Sequence, residues 1–255
     1  MRILITNDDG IHARGIQVLA KEIAQKHEVV IVAPREQKSA SSHSISIHEP
    51  IRVREEKLFG LQCKAYSVVG TPADCTQMGV SLLAGEVDLV LSGINRGVNC
   101  GTDILYSGTV SAAIEGAIYN IPSIAVSMEV DWEKEDETYE KAARWASRVI
   151  DTAISQDYLR KNIVLNLNIP HVPEDQVKGL KVCKLGKSTY QTEYVLVEEH
   201  DDKVYTIKGT RNKIEEEDSD LYYISQGYVT LTPLHFDFTD FKMMDQAEEY
   251  FDYTI

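Results

Sequence analysis

The sequence predicts an α/β fold: a three-layer, doubly wound, Rossmann-like and mostly parallel sheet, followed by a C-terminal β-hairpin and a terminal helix. Short apolar runs alternate with amphipathic segments from the N-terminus to about residue 170, and this alternation is typical of βαβ units. The runs are apolar at consecutive positions, as expected of strands that are covered on both faces. We therefore expect a doubly wound core over residues 1–170 and a C-terminal extension over residues 171–255.

The predicted core elements follow one another at regular spacing. Strands are predicted at residues 3–5, 29–33, 65–69, 87–91, 121–128 and 163–169, and helices at residues 15–26, 72–83, 110–119 and from 138 onward. The first helix places Ile16, Leu19, Ala20 and Ile23 on one stripe, which indicates a single buried face. Pro72 suits the first position of its helix because proline has no N–H to leave unpaired there.

Two further regions complete the expected architecture. Apolar residues alternate with polar ones from 45 to 53, which predicts a β arm at the edge of the sheet. In the extension, short strands are predicted at 181–185, 194–199 and 203–208 with a turn at 198–202, a return strand within 221–234, and a helix at 240–250. An exposed hairpin and a trailing helix bury little area alone, so we expect them to dock onto another subunit and join the chains into a homodimer or homotetramer. Packing against their own core is the alternative.

Composition limits the possible cell compartments. The chain has 255 residues, of which 43% are hydrophobic, and this is ample for a core. No apolar run approaches the roughly 20 residues of a membrane span, and the first strand begins without a basic leader. Cys63, Cys75, Cys100 and Cys183 contain no CxxC pair and are interpreted as reduced thiols. We expect a cytoplasmic protein that does not bind membranes.

The charge of the chain argues against duplex nucleic acid as a partner. The formal net charge is −14, so the broad basic surface of a duplex-binding protein is missing. If the protein handles phosphate, the positive field has to be local. A metal ion or a group of backbone amides would supply it.

The first polar cluster follows the first strand and comprises Asn7, Asp8, Asp9 and Gly10. Ligands bind beyond the carboxyl ends of parallel strands, and two adjacent carboxylates there repel each other unless a cation or a shared proton relieves them. A divalent metal site is one interpretation. The other is that these residues only form a turn and cap the next helix.

Two more polar clusters follow later strands. A serine-rich loop at residues 39–44 could lend hydroxyl groups to the same sheet edge, or could be a solvated connection. A glycine-rich stretch at 93–109 ends in Ser107, Gly108 and Thr109 just before a helix. Exposed amides at a helix start favour an anion. Capping by Ser107 or Thr109 is the simpler interpretation, and the two are compatible.

Several common catalytic motifs are missing from the sequence. There is no GxxxxGK[ST] phosphate loop, no GxGxxG after the first strand, no GxSxG and no HExxH. The sequence therefore lacks the motifs that usually indicate nucleoside triphosphate binding, dinucleotide binding, serine-hydrolase activity or zinc-protease activity.

The motifs that remain resemble one family closely. TNDDGI, the loop around Ser39, GTPADC, SGINRGVNCGTDILYSGTVSAAIEG and GYVTLTPL look like the SurE family of stationary-phase survival nucleotidases, which are acid phosphatases, and their order and spacing match over nearly the whole chain. Ser42 departs from the pattern, because many relatives have glycine there.

The resemblance implies a set of site residues. It makes Asp8, Asp9, Ser39 and Asn95 the ligands of one Mg²⁺ or Mn²⁺ ion per subunit, with Asp8 and Asp9 catalytic. An all-oxygen set of this kind suits hard cations. It also implies that Asn95, Ser107, Gly108 and Thr109 bind the phosphate group.

The implied function is the metal-dependent hydrolysis of nucleoside 5′- and 3′-monophosphates, and of short polyphosphate. Water could attack with Asp8 as its base, or Asp8 could attack phosphorus directly. A Mg²⁺-binding phosphoreceiver and a nucleotide-binding module without turnover are the alternatives of other classes. His43 could donate a proton to the leaving group or be structural. Four tyrosines could stack on a base or belong to the core, namely Tyr106, Tyr222, Tyr223 and Tyr228.

Overall fold

The computed structural model describes residues 1–133, 138–187, 190–199, 203–212 and 216–251. Within these residues the strands are β1 Arg2–Thr6, β2 Glu28–Pro34, β3 Arg52–Glu56, β4 Lys64–Val69, β5 Leu89–Arg96, β6 Ser123–Met128, β7 Val164–Ile169, β8 Leu180–Val182, β9 Tyr190–Glu199, β10 Lys203–Arg211 and β11 Val229–Leu234. The helices are α1 Arg14–Ile23, α2 Pro72–Met78, α3 Gly108–Ile118, α4 Glu140–Ser155, α5 Asp220–Ser225 and α6 Phe241–Phe251. None of the described helices is long and apolar enough to cross a membrane.

The main sheet confirms the predicted doubly wound architecture. Its described strands lie in the order β3-β4-β2-β1-β5-β6-β7-β11-β8. Neighbours from β4 to β7 are parallel, whereas β3 and β11 run antiparallel to β4 and β7. The chain winds outward from β1 through β2 and then returns to add β5 on the other side of β1. The carboxyl ends of β1 and β5 therefore flank the point where strand order reverses, which is where such sheets bind ligands.

Helices cover both faces of this sheet and make three layers. Ile3 and Ile5 of β1 pack with Ile16 of α1 and Ala142 of α4 on one face. Leu4 points to the other face, where it packs with Cys75 of α2 and the β2 valines. Burying side chains of this size contributes about 1.5–3 kcal/mol each. β1 is thus held from both sides, and the residues that follow it start from a fixed position.

The helix that begins at Pro72 differs slightly from its predicted extent. Thr71 and Asp74 form a reciprocal capping box with Pro72 in the first turn, as its residue type suggests. The α-helical part ends at Met78, and a single π-helical turn, Gly79–Leu83, completes the predicted range. A Cβ atom at Gly79 would lie 2.6 Å from Leu4, so the glycine allows this turn to pack directly on β1.

The edge arm and the C-terminal extension differ from the prediction in the extent and type of their elements. Of the alternating region 45–53, only Arg52 and Val53 belong to the edge strand, which continues to Glu56. The Tyr-rich segment begins as α5, because the Ser219 hydroxyl accepts from Tyr222 N and caps a helix. Gly227 then turns at φ +84° into β11.

The extension divides into three parts. β8 and β11 continue the main sheet beyond β7, while β9 and β10 pair antiparallel as a separate two-stranded hairpin. Residues 200–202 of the predicted turn lie outside the described residues. No side chain of α6 is buried. No disulfide joins the four cysteines, all of which are among the described residues, and this fits the predicted reduced thiols.

Candidate active site

The turn after β1 is built by Asn7. Its side-chain amide donates to the Gly10 carbonyl at 3.0 Å, and its Oδ1 accepts from the Gly10 amide at 3.2 Å. Gly10 has φ +99°, a conformation that favours glycine. This compact turn leaves Asp8 and Asp9 to project from the carboxyl end of β1.

Asp8 lies against the N-terminus of α3 and is only 5% exposed. The Thr109 hydroxyl donates to Asp8 Oδ1 at 2.5 Å, and the Thr109 amide also faces this carboxylate. A Cβ atom at Gly108 would lie 2.8 Å from the Asp8 Cβ, so the glycine permits this close approach. Burial, opposed by the Thr109 hydrogen bond and assisted by the charge of Asp9, raises the pKa of Asp8 to about 6. The carboxylate can therefore exchange a proton near neutral pH.

Asp9 is held by the two loops that flank it. The backbone N–H of Arg96, at the end of β5, donates to Asp9 Oδ2 at 3.1 Å, and Gln37 Nε2 donates to Oδ1 at 3.3 Å. Burial raises the pKa of Asp9 even though these donors and the Arg96 charge favour the ionised form. Two adjacent carboxylates thus share one site in which ionising either is costly.

The serine-rich loop is fixed beside these carboxylates. The Lys38 amide donates to the Asp8 carbonyl at 2.7 Å, and Gln37 Nε2 donates to Ser39 Oγ at 2.9 Å. Gln37 therefore links Ser39 to Asp9. Farther along, Ser42 donates its amide to the Tyr106 carbonyl at 3.1 Å. Ser42 has φ +53°, a left-handed conformation that glycine adopts more easily, which explains why glycine suits this position.

Asn95 reaches the site through an irregularity in β5. The register between β5 and β6 shifts between Ser92 and Asn95, as in a β-bulge, and such bulges redirect the side chains that follow them. The Asn95 Nδ2 donates to the Gly97 carbonyl at 2.8 Å. The side-chain nitrogen of Asn95 is therefore engaged by the backbone, and the side-chain oxygen lies on the opposite side of the amide group.

The predicted residues meet at one cavity of about 1270 Å³. Its walls include Asp8, Asp9, Ser39, Asn95 and Ser107. Residues of the hairpin, such as Tyr194 and Ile207, form part of the rim. The structure therefore brings the three predicted polar clusters together at the carboxyl edge of the sheet.

Gly108 and Thr109 lie behind Asp8 and are not part of the cavity wall. Ser107 is the N-cap of α3, and its Oγ accepts from the Val110 amide at 3.1 Å. The hydroxyl of Ser41 is buried beside Gly108 and has no hydrogen-bond partner among the described residues. Ser107 therefore caps α3, as the simpler of the two interpretations predicted.

The donor set determines which metal the site could hold. Among the described residues, no three His, Cys, Asp or Glu side chains are arranged to hold a metal ion. The two carboxylates have to be supplemented by neutral oxygens, and the Ser39 hydroxyl and the Asn95 amide oxygen are at the same cavity. Such a set fits Mg²⁺ or Mn²⁺ and does not fit a closed zinc site.

His43 does not line the cavity. Its Nε2 lies 2.6 Å from Glu115 Oε2 on α3, and Gln77 donates to the other oxygen of Glu115 at 2.8 Å. Burial alone would raise the pKa of Glu115, but the hydrogen bonds from His43 and Gln77 outweigh burial and lower it. These contacts favour the structural alternative, in which His43 holds the serine loop against α3.

The four tyrosines considered as base-stacking residues separate into two places. Tyr106 lines the cavity. Tyr222, Tyr223 and Tyr228 pack edge to face, with ring centroids 5.4 and 5.8 Å apart along the series, and do not line it.

Sequence reasoning missed three residues of this region. Gln37 could have been noticed because it stands two positions before Ser39. Arg96 and Trp132 line the cavity together, with the guanidinium 4.7 Å from the centroid of the indole ring. Trp132 lies within the acidic segment 129–137, whose charged composition predicts a solvated loop. Residues 134–137 of that segment lie outside the described part of the chain.

The chain is similar to known proteins over most of its length. A family model described as "Survival protein SurE" matches residues 3–192. The chain is 67% identical over 252 residues to the 5′-nucleotidase SurE of Clostridium botulinum (strain Alaska E43 / Type E3), covering 99% of this chain and 100% of the relative. It is 64% identical over 253 residues to the 5′-nucleotidase SurE of Clostridium beijerinckii, with the same coverage. The crystal structure of the SurE protein from Aquifex aeolicus matches with a TM-score of 0.82 and 33% identity, covering 98% of this chain and 99% of that one.

Proposed function

Because the chain belongs to the SurE family, we propose that it is a phosphoric monoester hydrolase that releases phosphate from nucleoside 5′-monophosphates. We extend the proposal to dependence on Mg²⁺ or Mn²⁺ and to activity on nucleoside 3′-monophosphates and short polyphosphate. One observation carries it: Asp8, Asp9, Ser39 and Asn95 come from three separate loops and line the same cavity as Ser107 at the start of α3.

The proposed metal ligands are the oxygens of Asp8, Asp9, Ser39 and Asn95. When bound there, a divalent cation would neutralise charge on the phosphate and lower the pKa of a water molecule. Gln37 supports this arrangement, because its side-chain amide donates to both Asp9 and Ser39 and fixes their separation. The Arg96 amide fixes the second oxygen of Asp9.

The remaining contacts assign roles in binding the phosphate. Asn95 and Ser107 face the cavity, and the N-terminus of α3 adds the partial positive charge of its dipole. These neutral donors suit a cavity in which Arg96 is the one basic residue among the described residues of the wall.

In the proposed reaction a water oxygen attacks phosphorus, and Asp8 accepts the proton that this water loses. The bond between phosphorus and the sugar oxygen breaks, the nucleoside leaves with a proton from bulk water on that oxygen, and Asp8 returns the proton that it accepted to bulk water. Burial raises the pKa of Asp8 to about 6, and a divalent cation at the same carboxylate would lower it again, so that Asp8 is ionised and can accept a proton at neutral pH. The Thr109 hydroxyl holds Asp8 Oδ1 and so orients the carboxylate.

The first test is hydrolysis of AMP or GMP by the purified protein with and without Mg²⁺ or Mn²⁺. We expect many phosphate ions per chain in the presence of either metal and a fall to background after chelation. A phosphoreceiver would stop at one phosphate per chain, and a binding module would release none. Either of these results would contradict the proposed function. Adenosine 3′-monophosphate and tripolyphosphate, assayed in parallel, test the wider substrate range.

We also propose that the C-terminal extension joins subunits into a homodimer or homotetramer. Phe241, Met243, Tyr250 and Phe251 of α6 are largely exposed, as is Phe238 nearby. Exposed apolar residues gathered on one short segment are typical of an interaction surface. Because no described side chain of α6 is buried within its own chain, a second copy of the protein is the partner that we propose for it.

Deleting residues 239–255 should therefore lower the molar mass measured by light scattering. The melting temperature of an isolated subunit should change little, because α6 contributes no buried side chain to its own core. A Phe59→Ser variant removes one exposed phenylalanine outside the extension and serves as the control. An unchanged mass after the deletion would contradict the assignment of this surface.

A further inference from the structure

The active-site cavity extends beyond the carboxylates to an exposed indole ring. Trp132 is 68% exposed and lines the same cavity as Asp9 and Asn95. A large aromatic side chain gains little stability from such exposure. Its position in the cavity wall leaves the indole available to contact a ligand.

Arg96 lies in the cavity wall and contacts both Asp9 and Trp132. It is the one basic residue among the described residues of the cavity wall. Its backbone N–H donates to Asp9 at 3.1 Å, and its charge favours the ionised form of that carboxylate. Its guanidinium lies 4.7 Å from the centroid of the Trp132 ring, within the range of a cation–π interaction. Asp9, Arg96 and Trp132 therefore follow one another along the wall.

The backbone also holds the indole in place. Gly97 pairs with Met128 as an isolated bridge, which brings the end of β5 next to the segment that carries Trp132. A Cβ atom at Gly97 would lie 3.2 Å from Trp132 Cζ2, so the ring edge lies close against this glycine. With its edge at Gly97 and the guanidinium at one face, the ring has a defined orientation and still keeps most of its surface exposed.

We propose that Trp132, oriented by Arg96, is the surface on which the nucleobase of the substrate stacks. This inference rests on the proposed nucleotidase function. A nucleoside monophosphate carries its phosphate at one end and its base at the other, and the cavity carries the carboxylates at one end and an open aromatic ring farther along. Stacking on an aromatic side chain is tolerant of base identity, because every base has a π face. The platform therefore selects esters that carry a base without choosing among bases.

A simpler role for Trp132 has a different consequence. If the indole served only to position the Arg96 guanidinium against the phosphate, its loss would weaken the binding of every phosphate compound alike. If the indole contacts the base, its loss weakens the binding of nucleosides and nucleotides and leaves inorganic phosphate unaffected. Competitive inhibition by the two reaction products, adenosine and inorganic phosphate, separates these roles.

The test compares Trp132→Ala with the wild-type enzyme. We expect kcat/KM for AMP to fall between about 5-fold and about 150-fold, mainly through KM, which is the range for losing one base-stacking contact. The inhibition constant of adenosine should rise by a similar factor, and that of inorganic phosphate should stay within about twofold. Trp132→Phe should restore most of the loss because phenylalanine keeps an aromatic face. Phe59→Ala, which removes an exposed ring outside the cavity wall, should leave all these constants unchanged.

Three results would overturn the proposal. One is an equal rise in the inhibition constants of adenosine and phosphate in Trp132→Ala, which would show that the indole acts through Arg96. The others are an unchanged kcat/KM for AMP in Trp132→Ala and a wild-type enzyme that adenosine does not inhibit. Failure of the proposed function itself is distinct, because the wild-type protein would then release no phosphate from AMP.

Discussion

Replacing Asp8 with asparagine should lower kcat for AMP hydrolysis by about 10²- to 10⁴-fold, the usual contribution of a general base. Asparagine has nearly the same shape, but it cannot accept the proton and offers a metal one neutral oxygen. The fold should survive, because the variant removes a buried carboxylate whose ionised form burial disfavours. Circular dichroism and thermal melting of the variant would check that.

Asp9→Asn should have an effect of similar size for a different reason. Asp9 accepts from the Arg96 amide through one oxygen and from Gln37 through the other, so the asparagine side chain of the variant would place an N–H group against one of these donors. The site would lose a negative charge and its alignment with Ser39 together. Added Mg²⁺ should raise the melting temperature of the wild-type protein, since a ligand that binds only the folded state stabilises it. Neither variant should show that rise.

Asp157→Asn is a suitable control for both variants. Asp157 is exposed and has φ +49°, which asparagine adopts readily. This change should leave kcat and the Mg²⁺-dependent melting shift as in the wild-type protein. Full activity in Asp8→Asn or Asp9→Asn would refute the assignment of the site.

Local patterns in the sequence were sufficient to predict the fold and to predict that the three polar clusters meet at one edge of the sheet. Consecutive apolar residues such as Ile3, Leu4 and Ile5 indicate a strand covered on both faces, and the polar residues after it have to emerge at the carboxyl edge. The doubly wound order then places Asn95, at the end of β5, beside Asp9. Residues far apart in the chain meet because the topology leaves few other arrangements.

The parts that sequence patterns did not predict depend on contacts between distant segments. Trp132 belongs to an acidic segment, and the pairing of β5 with β6, extended by the bridge between Gly97 and Met128, brings that segment to the cavity. Thr109 was expected to bind phosphate, but its side chain is directed at Asp8, because α3 begins directly behind that carboxylate. Neither arrangement has a spacing or composition that a sequence pattern would reveal.

Asp220 illustrates the same limit, and it leads to the second large expected effect. In the sequence it belongs to a run of acidic residues at 215–220, yet it is completely buried at the start of α5. Its Oδ2 accepts from the Gly101 amide at 2.8 Å, and its Oδ1 accepts from the amides of Gly186 and Leu221 at 2.7 and 2.8 Å. One carboxylate thus joins the glycine-rich segment before Ser107 to the C-terminal extension.

Asp220→Ala should lower the free energy of unfolding by roughly 3–9 kcal/mol, because it leaves three backbone N–H groups without an acceptor at about 1–3 kcal/mol each. It should also lower kcat, since the turn Gly101–Leu105 leads directly to Ser107. Asp218→Asn is the matched control: Asp218 is exposed and has φ +60°, and asparagine can still accept from the Tyr223 hydroxyl. Urea unfolding of both variants measures the difference.

The pH dependence of the destabilisation caused by Asp220→Ala gives a sharper test. Burial raises the pKa of Asp220, although the three amide donors oppose the shift. A carboxyl group with a raised pKa in the folded state stabilises most when it is protonated, and its contribution is lost as the pH rises through the raised value. The destabilisation caused by Asp220→Ala should therefore be larger near pH 4.5 than at pH 7.5. A difference that grows with rising pH would show that the amides outweigh burial, and an Asp220→Ala protein as stable as Asp218→Asn would show that this carboxylate does not hold the two segments together.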